Sequence, residues 1–210
     1  MQIHQILLLT KQGLGGMEIV IDNTDLEISY LINIAETYYP KYISAYSRQE
    51  YANTPEIKSL KRNIKKNLEL LEFFKNDLDK DFPEHLIHDI SIPSWFDRCV
   101  SFSFEEKSQK ETHTKSVVIL AISLLIPYYV IYQIECTKLT DNRVSYKLIT
   151  NNSNREIVKK IKSVVEEKLA FKYLNPKYHD RILKNISFED IPEGKFTLFN
   201  AFFKNEKDYH

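Results

Sequence analysis

His85, His88 and Asp89 stand at i, i+3 and i+4, so on a helix they would share one face and could hold a divalent metal. His179-Asp180 is a second histidine–acid pair of the kind that metal-assisted hydrolysis uses. Asp97 with Glu105-Glu106-Lys107 offers two carboxylates for Mg²⁺ and a lysine to steady an attacking hydroxide. Gly13-Leu14-Gly15-Gly16 begins like a phosphate-cradling loop. Each set falls short of its pattern. The glycine loop needs a third glycine at position 18, where Glu18 stands, and it precedes a strand instead of opening a helix. Asp97 and Glu105 lie on one strand and its trailing loop rather than on successive strands. No serine sits in a G-x-S-x-G elbow, and only 4 glycines occur to form tight catalytic turns. The histidines read as surface or capping residues. No catalytic residue, metal or cofactor is expected.

Cys99 and Cys136 make neither a disulfide framework nor a zinc-ligand spacing. Both fall in strand-like segments, where cysteine serves as a small buried hydrophobe. Lys+Arg and Asp+Glu are both 29, so no net field draws the chain to nucleic acid or to an anionic membrane. The start lacks the basic flank and long apolar run of a signal peptide. Residues 116–134 are uncharged over a membrane-spanning length. Pro127 interrupts them, however, and β-branched residues and tyrosines dominate, which predicts buried strands. A cytoplasmic protein without nucleic-acid or membrane partners is the expectation.

The elements that would position a site follow from periodicity and caps. Residues 17–21 read as a short strand, and residues 1–16 as a peripheral extension. Thr24-Asp25-Leu26-Glu27 is a capping box for a helix burying Ile28, Leu31, Ile32 and Ala35. Pro40 stands at its end. Thr54-Pro55-Glu56 starts a second helix, with Ile57, Leu60, Ile64, Leu68, Leu71, Phe74 and Leu78 facing inward. Residues 79–94, with Pro83 and Pro93, read as a connection. Alternation then predicts an antiparallel meander of about four strands: one near Cys99–Phe104, one over 116–126, one over 128–137 and one around Val144, Tyr146 and Leu148. Ser153-Asn154-Arg155-Glu156 caps a further helix, and Pro192-Glu193-Gly194 makes a turn before KFTLFNAFF. The expected fold is one α+β domain over 1–210. Its N-terminal helices pack on a mainly antiparallel sheet of four or more strands, with a further C-terminal helix.

Two surface features stand out. Tyr38, Tyr39, Tyr42, Tyr46 and Tyr51 exceed what one helix face can bury, and tyrosine is enriched at protein interfaces. If the first helix continues past Pro40, Tyr39, Tyr42 and Tyr46 form an aromatic ridge towards solvent. Lys58, Lys61, Arg62, Lys65 and Lys66 would flank it with charge; Lys58, Arg62 and Lys65 join the tyrosines as expected partner-binding residues. Alone, that basic cluster reads as a solvated face, and the inward-facing apolar residues of its helix leave it no aromatic for stacking on bases.

The C-terminal half runs from a strand near Trp95-Phe96 through LLIPYYVIY, a strand–turn–strand and a capped helix to GKFTLFNAFF. In this layout it resembles cytoplasmic immunity proteins encoded beside secreted bacterial toxins. The resemblance implies stoichiometric inhibition of one toxin by covering its active site. It carries over no individual residue. The alternatives are a metal-dependent nuclease or phosphohydrolase built on the acidic and histidine positions above, and a mobile-element accessory protein without chemistry. The phosphohydrolases with paired His-Asp motifs are nearly all-helical, whereas a sheet separates the pairs here.

Overall fold

The computed structural model describes residues 23–91, 97–107, 113–138, 144–149 and 155–203. The expected strand at 17–21, the extension at 1–16, the Trp95-Phe96 segment and the Ser153 cap lie outside them. Helix α1 (Asn23–Tyr38) is followed by the short α2 (Arg48–Asn53) and the long α3 (Pro55–Asp81). The start of α3 forms as its sequence dictates: the Thr54 hydroxyl accepts from the Ile57 amide, and Pro55 occupies the first turn, where no amide donor is needed.

Strands β1 (His85–Asp89), β2 (Cys99–Glu106), β3 (Thr114–Ser123), β4 (Tyr128–Lys138) and β5 (Val144–Ile149) pair antiparallel in chain order. The apolar run at 116–134 is thus two strands and a turn, as expected. Among the described residues no helix is long and apolar enough to cross a membrane. The first strand was not foreseen, because HLIHD is short and mixed in charge. Helix α4 (Arg155–Leu169) leads to β6 (Lys172–Tyr173), which runs parallel to β4 at Tyr128 and Tyr129, beyond the part of that edge paired with β5.

Register explains why the run is apolar throughout. Rows such as Phe104–Val118–Gln133 and Phe102–Leu120–Ile131 share one face. On that face Phe74 of α3 meets Phe102 at 6.4 Å and Phe82 meets Phe104 at 5.0 Å. Helix α4 joins the same layer: Glu166 accepts from the Tyr129 hydroxyl at 2.6 Å, and Lys168 reaches Asp81 at 2.7 Å. The opposite row, Ser103 and Ile119, is buried as well. A strand buried on both faces loses its alternation.

Helix α5 (Leu198–Phe202) ends the described chain and lies against α1. Thr197 and Asn200 form its reciprocal cap. Between β6 and α5 the backbone is irregular. Leu183 bonds Phe196, Leu198 bonds Arg181, and the expected turn sits at Pro192–Gly194 with Gly194 at φ 79°. Phe188, Phe196, Phe202 and Phe203 are fully buried there, in a second aromatic layer beneath α1 and α2.

Candidate partner-binding site

The expected tyrosine ridge is not a helix. Helix α1 stops at Tyr38, and the chain turns at Pro40 before any second ridge residue is reached. Tyr39 points inward, against the expectation that it meets a partner: it is 0% exposed, and its hydroxyl donates to the Ala201 carbonyl at 2.6 Å. Its ring meets Phe188 edge-on at 5.1 Å and Phe196 at 4.9 Å. Burial pushes the Tyr39 and Tyr51 phenols far above their ordinary value, so both remain neutral donors. The physical reason is helical phase: Tyr39 follows Leu31 and Ala35 at intervals of four, its amide still bonds the Ala35 carbonyl, and all three are fully buried.

Tyr42 and Tyr46 do face solvent, at 76% and 70% exposed. They are carried by an irregular segment that residues 185–188 hold in place. The Tyr42 amide donates to the Asn185 carbonyl at 2.9 Å, and the Asn185 side-chain amide returns a bond to the Tyr42 hydroxyl at 3.0 Å. The Ala45 amide donates to the Ser187 hydroxyl at 2.9 Å, and the Tyr51 hydroxyl to the Ser187 carbonyl at 2.6 Å. Beside this clamp opens a groove of about 530 Å³ lined by Tyr46, Arg48, Tyr51, Ile57, Phe188 and Glu189, among others. Its walls are mostly apolar and its rim is charged.

Beneath the groove Arg98, 3% exposed, pairs with Glu189 at 3.2 Å and stacks 4.7 Å over the Phe188 ring. Its Nε donates to the Phe203 carbonyl. The clamp is strained. Among the described residues four that are not glycine have positive φ: Tyr42, Ala170, Asn185 and Glu189. Ala170 closes α4 through its amide bond to Glu166, an ordinary helix ending. The other three surround the tyrosine segment and groove. A residue with a Cβ in this conformation costs about 1–2 kcal/mol, less for asparagine, and such strain concentrates at functional sites.

Lys58, Arg62 and Lys65 are exposed along α3, which begins beside the groove at Ile57. The expected inward stripe of this helix is imperfect, since Leu68 is 42% exposed. The acidic and histidine sets are not brought together. His85 and His88 lie on β1, not on a helix, and an odd spacing on a strand points side chains to opposite faces. Asp97 precedes β2 and Glu105 stands near the far end of that strand, so the strand's length separates them. His179 packs on Phe199 at 4.9 Å. Among the described residues no three His, Cys, Asp or Glu side chains converge as metal ligands would.

Sequence reasoning missed Arg98, Asn185, Ser187, Phe188 and Glu189. The one available signal was Asn185, a residue that tolerates positive φ. No family model matches the chain, and none of the curated proteins or solved structures compared with it does.

Proposed function

We propose that this is a protein-binding inhibitor, an immunity protein of the cytoplasm that neutralises a cognate bacterial toxin by stoichiometric binding. The observation that carries the binding reading is the strained clamp that holds Tyr42 and Tyr46 out to solvent beside an apolar groove. Their rings gain little for folding, since both are largely exposed and Tyr42 makes one exposed bond to Asn185, yet Tyr42 is presented on a backbone whose conformation is costly. A rigid aromatic that needs no ordering on association gives contact area at low entropic cost. The groove offers a pocket for one apolar side chain of the partner, and Arg48, Glu189 and Asp190 supply a polar rim. The inhibitory role itself is supported by the resemblance of the C-terminal half to immunity proteins. Such an inhibitor acts by covering a surface and needs no catalytic group of its own.

The test is affinity capture from cells that carry the gene, with mass spectrometry of what is retained and Tyr42→Ala and Tyr46→Ala as comparisons. One stoichiometric partner, bound about thirtyfold more weakly by either variant at unchanged melting temperature, supports the reading. Retention of no protein, or equal retention by both variants, would contradict it.

A further inference from the structure

We infer that the outer face of the N-terminal half of α3 docks an acidic surface of the partner protein. This rests on the protein-binding reading for the class of partner. Lys58, Lys61, Arg62, Lys65 and Lys66 fall within nine consecutive positions, where Asp and Glu are absent. Lys58–Arg62, Lys61–Lys65 and Arg62–Lys66 are like-charge neighbours one turn apart, an arrangement that destabilises a helix. The end turns are mixed, with Glu56 in the first and Lys80 between Asp79 and Asp81 in the last, so the basic run lies inside the helix, beyond reach of a terminal dipole. Its like-charge neighbours therefore cost the helix stability without an offsetting gain.

The two ends also differ in how they are neutralised. Asp77 is paired with Lys80 at 2.8 Å and Asp81 with Lys168 at 2.7 Å. Lys58, Arg62, Lys65 and Lys66 make no ion pair among the described residues. They are exposed, and they carry uncompensated charge on a chain that is neutral as a whole.

Phe73 lies on the same line of the helix, seven residues beyond Lys66, and is 78% exposed. Sequence reasoning turned every apolar residue of this helix inward and so missed it. The basic stretch is about 12 Å long and is bounded by Glu56 and Glu69. A nucleic-acid strand, with a charge every few ångströms, would run past it onto acidic ground. A compact acidic patch with an apolar spot for Phe73 fits the dimensions.

The probe is a labelled glutamate-rich peptide containing a few leucines, titrated against the full chain by fluorescence anisotropy at low and moderate salt. Single-stranded and duplex DNA of similar charge form the second arm. The peptide should bind, lose about tenfold in affinity on raising salt severalfold, and lose about tenfold again in K58Q/R62Q/K65Q/K66Q. The same variant should melt at an unchanged or higher temperature, because it removes like-charge pairs. Equal peptide affinity in the quadruple variant would overturn the docking face while leaving the Tyr42 and Tyr46 reading intact. Tighter binding of either DNA through the same cations would overturn the assignment of an acidic protein.

Discussion

The sheet with its two covering helices and the segment from Leu174 to Phe203 both bury large side chains, but they are held by different means. In the sheet, successive antiparallel ladders carry the backbone, and aliphatic rows such as Leu120 and Ile122 fill the space between. In the C-terminal segment, side chains reach distant carbonyls instead: Tyr39 bonds Ala201 across 162 positions, and Tyr51 bonds Ser187 across 136. Buried rings and one buried guanidinium take the place of a ladder. A ladder repeats and leaves little freedom to present a chosen side chain. The ring-packed layer is irregular, so it can fix a neighbouring segment in a costly conformation and hold two tyrosines outward.

The largest expected effect comes from removing the ring at the centre of the second layer. Phe188 is fully buried and meets Tyr39, Tyr51 and Phe196. Phe188→Ala should cost about 3–5 kcal/mol in denaturant unfolding, against about 2–5 for Leu120→Ala in the sheet. Hydrogen exchange separates the two. The first variant should expose the amides of Tyr42 and Ala45 well before the sheet opens, and the second should not. Equal protection of those amides in both variants would mean that the layers are one cooperative unit.

Tyr39→Phe is smaller and sharper. It deletes the hydroxyl bonded to Ala201 while keeping the ring, and should cost about 1–2 kcal/mol with partner affinity unchanged. A loss of affinity at constant stability would return Tyr39 to the interface.

That residue also shows where the sequence was legible. Thr54-Pro55 at a helix start and the apolar run on either side of Pro127 are local signals, and the structure follows them. The burial of Tyr39 was legible too, since it continues the four-residue spacing of Leu31 and Ala35, whereas its ring and hydroxyl partners about 150–160 positions away are reported by no local period. The short β1 carries too few residues to show alternation. The clamp partners Ser187 and Phe188 lie in a stretch whose conformation is set by tertiary bonds, so neither helical nor strand spacing marks them.

The smallest effect concerns pH. Burial holds the His179 imidazole below its ordinary value, against the opposing pull of a backbone bond to Leu174 and the charge of Asp180. Its Nε2 is buried without a hydrogen-bond partner among the described residues. The unfolded chain therefore takes up the proton first as pH falls. Stability that is full above the ordinary value of 6.5 should decline as pH drops through it, and level off once the folded state is also protonated. His179→Phe, which keeps the contact with Phe199, should flatten that part of the stability curve. A curve of the same slope in the variant would assign the decline to other groups.

The central claim is that the strain at Tyr42 serves binding rather than folding. Its φ of 63° suits glycine, so Tyr42→Gly relieves the backbone while removing the displayed ring. Relief of the strain should offset the lost exposed bond to Asn185 and the added freedom of the unfolded chain, so the unfolding free energy should change by less than about 1 kcal/mol, while affinity for the captured partner falls about thirtyfold. A clear loss of stability with affinity unchanged would show that the tyrosine is structural and that the partner docks elsewhere.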